Sequence, residues 1–416
     1  MAASPLKPPL NPASTHLATH SSANSSSRPP ADHAAAPHPR RLEGRWGYGC
    51  GGGGGPRAMP RLNALAALRP VSSPLPLLFS RAHRSNGAGA GETIPSTPIR
   101  VLRAVESLRR WRKPHVINHR SVGLVPTMGA LHEGHLALVR AAARENHHVV
   151  VSIYVNPAQF GIREDLGSYP VTWDTDVAAL ARLDRELADD GANLGRISAA
   201  VDSKGSFVTI TPVGEVLEGA SRPTFFRGVA TVCMKLFNIV QPDRVYFGQK
   251  DVQQTVVIRR MVRDLMVPTQ VVVCPTEREP DGLALSSRNV YLGTRRRRVG
   301  IVLNSALRAA EAVYHAGQLD RGAILGAAHE ITGTVLRAQM ELPPDERAIF
   351  EVDYISLADP DTLEEVDAVD PDKGAVISGA IKMLPLEKAR EGEDVGHAGG
   401  PQVRLIDNII LKRRSS

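Results

Sequence analysis

The chain has 416 residues, of which 42% are apolar and 22% charged, so its length allows two or three domains with globular cores. No apolar run approaches the roughly 20 residues of a membrane-spanning helix, which argues against a membrane protein. The three cysteines (Cys50, Cys233 and Cys274) are far apart and the 14 histidines form no cluster by spacing, so neither a disulfide framework nor a protein-bound metal is expected.

The formal net charge of +7 is concentrated near the N-terminus. Residues 1–91 hold ten Lys and Arg against two acids, whereas the remaining 325 residues hold 40 basic and 41 acidic side chains. Because the rest of the chain is close to neutral, the charge gives no reason to expect a nucleic-acid partner.

Residues 1–97 are predicted to be unstructured, because a Ser tract, Pro pairs and the glycine run 51–55 come without a sustained helical or strand period. Two interpretations stay open. The Ser- and Arg-rich, acid-poor composition is typical of an organelle transit peptide. The alternative is a disordered tail, or untranslated sequence joined to the protein by a start codon placed too early.

From residue 100 the sequence alternates between helical spacing and short apolar segments. The predicted helices are 101–111, 135–146, 173–189, 226–240 and 252–265. The predicted strands are 122–125, 149–155, 206–210, 245–248 and 270–274. This alternation predicts an α/β fold, a Rossmann-like parallel sheet with flanking helices, in which ligands bind beyond the carboxyl ends of the strands.

The pattern changes after residue 291. Helices are predicted at 299–315 and 323–339, followed by strands at 350–355, 375–381 and 403–411. We therefore expect a nucleotide-binding domain at 98–291 and a smaller α+β lobe at 292–416. The polar stretch 386–402 is predicted to be an exposed hairpin loop. The arginine run 295–298 is interpreted as a solvated helix face rather than a nucleic-acid patch.

The first candidate site is the segment 126–135, with the sequence PTMGALHEGH. It follows a predicted strand and opens a helix, where backbone amides and the helix dipole can bind an anion. His132 and His135 are three residues apart, so both project to one side of the first turn. Gly134 lets a ligand or backbone approach closely. We expect these imidazoles to contact phosphate and to stabilise charge that develops during attack at phosphorus.

Two further polar segments follow later strands. After strand 245–248, Lys250 offers a charge for phosphate and Asp251 an acceptor for a ribose hydroxyl, although Asp is also a favoured helix cap. The loop 281–289 carries Ser286, Ser287 and Arg288, a plausible clamp on a triphosphate. Together with the histidines, these side chains predict a nucleotidyl-transfer site.

The segment 154–160 follows the second predicted strand and contains Asn156 and Gln159 beside Phe160. Amides next to an apolar side chain suit a small hydroxy acid better than a phosphate. The alternative is an ordinary turn punctuated by proline. We likewise interpret Gln253 and Gln254 as amides suited to a small hydroxy acid.

Residues 100–291 resemble the pantothenate synthetase (pantoate–β-alanine ligase) family of His-x-Gly-His nucleotidyltransferases, and the similarity continues more weakly to about residue 412. The stretches that carry the resemblance are PTMGALHEGH, VNPAQFG, EDLGSYP, LEGASRP with FRGV, KLFNIVQPD, FGQKDVQQ, DGLALSSRNVYL and RLIDN.

The resemblance implies an ATP-dependent condensation of pantoate with β-alanine to pantothenate, in the pathway to coenzyme A. The pantoate carboxylate attacks the α-phosphate of ATP and releases pyrophosphate, and the β-alanine amine then attacks the pantoyl adenylate and expels AMP. The resemblance further implies Mg²⁺ carried with ATP, a homodimer and a cytoplasmic location. Because an acyl adenylate hydrolyses easily, we also expect a second lobe that closes and excludes water. A mitochondrial or plastid location is the alternative if residues 1–97 are a transit peptide.

The resemblance also implies roles for individual residues. ATP is implied to contact Met128, Gly129, Ala130, Leu131, His132, Glu133, Gly134, His135, Gly248, Gln249, Lys250, Asp251, Glu277, Leu285, Ser286, Ser287 and Arg288. The implied catalytic group comprises His132, His135, Lys250, Ser286, Ser287 and Arg288, with His135 as proton donor. Pantoate is implied to contact Gln159 and Gln254, and β-alanine Gln159.

Three features depart from the family pattern. Residues 190–205 contain no run of four apolar β-branched residues, as a buried central strand needs. We hypothesise an altered exon junction here, which leaves a catalytically impaired homologue or scaffold as an alternative function; a cytidylyltransferase is a second alternative. Glu277 replaces an apolar residue expected near the adenine. The stretch 386–402 is an insertion, expected to lie away from the motifs.

Overall fold

The computed structural model describes residues 92–95, 97–161, 165–189, 196–198 and 205–413. Residues 1–91, which make up most of the predicted leader, lie outside the described residues, as do 190–195 and 199–204.

Seven strands form one sheet. In chain order they are β1 (Glu92–Thr93), β2 (Arg100–Leu102), β3 (Val122–Thr127), β4 (His148–Ile153), β5 (Arg196–Ser198), β6 (Arg244–Gly248) and β7 (Gln270–Cys274). Their spatial order is β1-β2-β5-β4-β3-β6-β7. β1 is antiparallel to β2, and the other neighbours are parallel. The chain reverses its course across the sheet beside β3, which is where open parallel sheets bind ligands.

Helices cover both faces of this sheet, which explains why β3 and β4 are apolar almost throughout. The helices are α1 (Val105–Ile117), α2 (Glu133–Glu145), α3 (Trp173–Asp189), α4 (Glu218–Ser221), α5 (Phe225–Val240) and α6 (Val252–Asp264). α2 and α3 pack on one face, and α1, α5 and α6 pack on the other.

The expectation of a missing core strand is wrong. β5 lies between β2 and β4 and pairs in parallel with both, so the sheet has no gap at this place. A strand of three residues is too short to produce the long β-branched run that the prediction required. The hypothesis of an altered exon junction concerns residues that mostly lie outside the described ones and stays a hypothesis.

Two other predicted elements differ from the structure. Arg100–Leu102 is a sheet strand, and the predicted helix at 101–111 begins only at Val105. The segment 206–210 forms no strand, because Val208 donates its N–H to Thr231 of α5 at 2.9 Å instead of pairing with a sheet neighbour. Its largely exposed residues had only the composition of a strand.

The C-terminal part has its own sheet and apolar core. Its elements are α7 (Gly293–Val299), α8 (Val302–His315), α9 (Arg321–Glu341), β8 (Phe350–Ala358), β9 (Ala375–Met383) and β10 (Val403–Leu411). The three strands are antiparallel in the order β10-β9-β8. We call this part the C-terminal lobe. Together with the parallel sheet it confirms the predicted fold class, while the predicted domain boundaries at 98 and 292 stay predictions. None of the described helices is long and apolar enough to cross a membrane.

The interpretation of residues 295–298 as a solvated helix face is wrong. Arg295 and Arg296 are buried, with 7% and 0% of their surface exposed. Arg297 forms ion pairs with Glu279 and Asp281. The sequence could not reveal this, because the partners of these guanidinium groups are carboxylates and backbone carbonyls distant along the chain.

Candidate active site

A cleft of about 760 Å³ opens at the carboxyl ends of β3, β4, β6 and β7 and is closed on one side by the C-terminal lobe. Strand ends supply Met128, His132, His135, Lys250 and Gln254, among others. Residues of β10 form the wall of the cleft on the opposite side. The cleft therefore lies where the parallel sheet predicts a ligand site.

His132 and His135 lie at the start of α2, and their rings are 4.1 Å apart between centroids. The backbone N–H of His132 donates to Nδ1 of His135 at 3.4 Å. Nδ1 is therefore an acceptor, and the proton of a neutral His135 ring belongs on Nε2. A Cβ added at Gly134 would lie 2.9 Å from the His132 ring, so glycine at this position leaves room for that ring.

The turn before α2 uses its backbone amides internally. Asp176 of α3, which is 1% exposed, accepts the N–H of Ala130 at 3.0 Å and that of Leu131 at 2.8 Å. Gly129 donates to Thr127 at 3.2 Å. The prediction that the amides of this loop bind an anion is therefore wrong for Gly129, Ala130 and Leu131. These three amides already have hydrogen-bond partners within the protein.

Both imidazoles favour their neutral form. Burial, followed by the charge of Lys250, lowers the pKa of His132 to about 4. Burial, followed by His132 and Lys250, lowers the pKa of His135 to about 3. The histidines are therefore neutral hydrogen-bond donors near pH 7. An arriving triphosphate would favour their protonated form, because its negative charge opposes that of Lys250.

Lys250 lies in the turn after β6, and its Nζ is 3.3 Å from Asp251. The side-chain amide of Asn408 in β10 donates to the carbonyls of Gln249 and Lys250, each at 2.9 Å. The C-terminal lobe thus fixes the backbone that carries Lys250. Gln249 itself bonds to Asn408 rather than lining the cleft.

Ser286, Ser287 and Arg288 line the cleft from the other side, and we call them the clamp. Ser286 caps a 3-10 helix that spans Ser287–Tyr291, because its Oγ accepts the Arg288 N–H at 3.2 Å. The Tyr169 hydroxyl lies 3.3 Å from the Ser287 Oγ, and the Arg288 guanidinium is 5.8 Å from the Tyr169 ring centroid. Tyr169 therefore contacts two of the three clamp residues.

The four amides that the sequence grouped together have different surroundings. Gln159 lines the cleft, where its amide donates to the Met128 sulfur at 3.1 Å and accepts from Asn156 at 3.0 Å. Gln254 also lines the cleft. Gln253 is 3% exposed and bonds to the backbone of Val213, Val216 and Glu218, so its interpretation as part of the ligand site is wrong.

The structure brings most of the predicted site residues to one cleft. Those on the wall are Met128, His132, Gly134, His135, Gln159, Gly248, Lys250, Asp251, Gln254, Glu277, Leu285, Ser286, Ser287 and Arg288. Those that are not on it are Gly129, Ala130, Leu131, Glu133 and Gln249. Glu133 instead forms ion pairs with Arg140 and Arg182 on the outside of α2.

Sequence reasoning missed several residues that shape the site. Asp176, Tyr169 and Asn408 hold the turn, the clamp and the Lys250 backbone respectively. Arg404 of β10 lines the cleft and forms an ion pair with the buried Glu218. Tyr169, Glu218, Arg404 and Asn408 all fall within stretches that carry the family resemblance, which was the one available signal for them.

The described residues contain no group of three or more His, Cys, Asp or Glu side chains arranged to hold a metal ion. In the cleft, the Asp251 carboxylate already faces Lys250. The wall presents cationic and amide side chains, which suit an anionic ligand.

Residues 100–410 match the family model for pantoate-beta-alanine ligase. Among similar proteins, the pantothenate synthetase of Roseiflexus castenholzii is 47% identical over 313 residues, which cover 75% of this chain and 100% of that protein. The pantothenate synthetase of Chloroflexus aurantiacus is 45% identical over 318 residues, which cover 76% of this chain and 99% of that protein.

Solved structures agree with these matches. The pantothenate synthetase of Thermus thermophilus superimposes with a TM-score of 0.59 at 39% identity, covering 74% of this chain and 98% of that one. The pantoate-beta-alanine ligase of Francisella tularensis, solved with beta-gamma ATP and beta-alanine, has a TM-score of 0.51 at 27% identity. The match covers 75% of this chain and 97% of that one.

Proposed function

The chain belongs to the pantoate–β-alanine ligase family, and on that premise we propose how its cleft carries out the reaction. The activity is the ATP-dependent condensation of pantoate with β-alanine. The observation that carries the proposal is the convergence on one cleft of His132, His135, Lys250 and the clamp with the two amides Gln159 and Gln254.

In the first step, the pantoate carboxylate attacks the α-phosphorus of ATP. A bond forms from carboxylate oxygen to phosphorus, the bond to the bridging oxygen breaks, and pyrophosphate leaves. Such a transfer depends on positioning and charge stabilisation rather than on covalent help from the protein. Lys250 and Arg288 neutralise the phosphate charge, while Nε2–H of His135 donates to a phosphate oxygen.

In the second step, the β-alanine amine attacks the acyl carbon of pantoyl adenylate. The carbon–nitrogen bond forms, the bond from carbon to the adenylate oxygen breaks, and AMP leaves while the amine loses a proton. Gln159 and Gln254 hold pantoate through both steps, and Gln159 also lies near β-alanine. The C-terminal lobe excludes water, which would otherwise hydrolyse the adenylate.

Three further features belong to the proposal. Mg²⁺ enters as the partner of ATP, bound through phosphates and water, because no described carboxylate cluster offers it a site. Two copies of the chain form a dimer. The protein acts in the cytoplasm, or in a mitochondrion or plastid if residues 1–97 direct import.

The test is a turnover assay with purified protein, ATP, pantoate and β-alanine, in which pantothenate, AMP and pyrophosphate are measured. We expect all three products only when both acceptor substrates are present. Pyrophosphate release from CTP with a phosphorylated alcohol would favour a cytidylyltransferase instead. No turnover by well-folded protein would favour a scaffold.

The variant His135→Ala tests the assigned donor. We expect kcat to fall by about 10²-fold or more, because a group that stabilises transition-state charge is lost. The protein should still fold, with only a small loss of melting temperature from the missing hydrogen bond to the His132 N–H, since the ring borders the cleft. An unchanged kcat would contradict the role of His135.

A further inference from the structure

Residues 391–401, between β9 and β10, form a segment that we call the strap. It lies in the stretch that the family resemblance marks as an insertion, and most of its residues are exposed. Its buried anchors are the two arginines at the start of α7. Arg295 pairs with Glu393 at 2.9 Å, and Arg296 donates to the carbonyls of Val395 at 3.0 Å and Pro401 at 2.6 Å.

The backbone of the strap also lies directly against residues 291–294. Gly396 has a φ of +92°, and a Cβ added there would overlap the carbonyl oxygen of Tyr291. A Cβ added at Gly293 would likewise overlap the carbonyl oxygen of Asp394, and the Thr294 N–H donates to that carbonyl at 3.1 Å. Two glycines on opposite segments thus allow a contact that side chains would prevent.

This contact continues to the clamp. Tyr291 ends the 3-10 helix that begins at Ser287, and its ring is 5.3 Å from that of His397 in the strap. The Tyr291 hydroxyl donates to the Ser168 carbonyl at 2.7 Å. The next residue, Tyr169, contacts Ser287 and Arg288 as described above. Pro401 of the strap lines the cleft itself. The expectation that this insertion lies away from the motifs is therefore wrong.

We propose that the strap is a positioning element for the clamp. It holds Tyr291, and through Tyr291 it fixes both the 3-10 helix that carries Ser287 and Arg288 and the segment at Ser168 and Tyr169. The inference rests on the proposed function, because it takes the triphosphate of ATP as the ligand of the clamp. The strap thus acts on ATP binding through Tyr291 and the clamp.

The test compares Gly396→Ala with Gly392→Ala. Both glycines lie in the strap at positive φ (+92° and +71°), so alanine is strained at either position, and the ψ of 170° at Gly396 falls in a region that almost only glycine adopts. A Cβ at Gly392 meets nothing within 4 Å, whereas one at Gly396 meets Tyr291. The pair therefore separates a local strap effect from an effect on the clamp.

We expect G396A to raise the Kd for ATP, measured by calorimetry, and the KM for ATP by about tenfold, because loss of positioning weakens every contact of the clamp. G392A should stay within about twofold of the wild type. Tyr291→Phe removes the hydroxyl bond to Ser168 and keeps the ring, so it should also raise the Kd for ATP. This variant tests the proposal if G396A does not fold.

A G396A protein with a lowered melting temperature but wild-type Kd and KM for ATP would overturn the proposal, since the strap would then be only structural. Equal effects of G396A and G392A would also overturn it. Because ATP binding is measured directly, a wild-type protein that binds ATP without forming pantothenate would contradict the proposed function, whereas weakened binding by G396A would still support the strap.

Discussion

At the scale of single residues, a buried carboxylate governs the placement of the two histidines. Gly129 and Ala130 have positive φ values of +85° and +51°, a conformation that an alanine adopts only under restraint. The carboxylate of Asp176 supplies that restraint by accepting two consecutive backbone N–H groups. The orientation of His132 and His135 therefore depends on a residue that does not line the cleft.

Asp176→Asn tests this dependence. The amide can accept one N–H but directs its own NH₂ at the other, so we expect kcat/KM for ATP to fall by about 10- to 100-fold. Asp184→Asn, a change at another buried position of α3, is the matched control. Both variants should lose stability, measured by urea unfolding, but only D176N should lose activity. Equal activities would show that Asp176 supports the fold alone.

The lowered pKa values of His132 and His135 predict a pH-dependent stability. Below pH 6.5 the unfolded chain binds protons on these rings while the folded protein does not, so stability is complete above pH 6.5 and falls as the pH drops towards about 4 and about 3. At pH 5 the loss should be roughly 1 to 2 kcal/mol per ring.

The measurement compares the free energy of unfolding at pH 7 and pH 5, without nucleotide, for the wild type and the double variant His132→Gln, His135→Gln. We expect the variant to lose less stability over this interval, because glutamine does not titrate. Parallel pH profiles would mean that both rings titrate normally in the folded protein.

At the scale of elements, length decided which strands were recognisable. β3 and β4 each have six residues and are buried along most of their length, so their apolar runs predicted them. β5 has three residues and gains its place by pairing on both edges, which no local pattern reveals. The opposite error arose at 206–210, where β-branched composition suggested a strand that has no sheet partner.

The arginine run at the start of α7 shows the same limit. Four consecutive arginines predict a solvated or nucleic-acid-binding face, yet Arg296 is fully buried. Its guanidinium donates to the backbone carbonyls of Leu292, Val395 and Pro401. Burial of such a group is tolerated because its donors are satisfied. The strap and helix α7, whose arginines anchor the strap, are therefore one structural unit.

At the scale of the whole molecule, ion pairs join the parallel-sheet part to the C-terminal lobe, and two of them involve residues of the cleft wall. Arg278 forms a two-pronged pair with Asp407 at 2.6 and 2.8 Å. Arg404 joins Glu218 to Asp353, and Tyr354 donates to Glu218 at 2.9 Å. Asp407 is 4% exposed, so the pair with Arg278 is shielded from water and salt. These contacts hold the lobe against the parallel-sheet part beside the cleft.

Asp407→Asn should weaken the attachment of the lobe, since Arg278 keeps its charge but loses a charged partner. We expect a loss of roughly 2 to 4 kcal/mol in the free energy of unfolding. We also expect more than one AMP released per pantothenate formed, because water reaches the adenylate.

The control for this prediction is Asp264→Asn, which breaks a solvent-exposed pair with Arg260 and should leave the free energy of unfolding close to that of the wild type. A normal ratio of AMP to pantothenate in D407N would contradict the link between this ion pair and the exclusion of water.

The amino-acid sequence by itself determined the fold class, most long elements and the residue types of the cleft. Strand–helix alternation and the placement of His132, His135, Lys250 and the clamp after strands suffice for this, because parallel strands bring their carboxyl ends to one edge. Both signals are local, so they can be read from consecutive residues.

Only the tertiary structure decided which of these residues line the cleft and what holds them there. Asp176 occupies amides that the sequence assigned to phosphate, Gln253 is consumed by backbone contacts, and the insertion joins the clamp through Tyr291. Each depends on a partner more than 35 residues away along the chain. Buried hydrogen-bond partners at such distances are fixed by packing, and no local pattern encodes them.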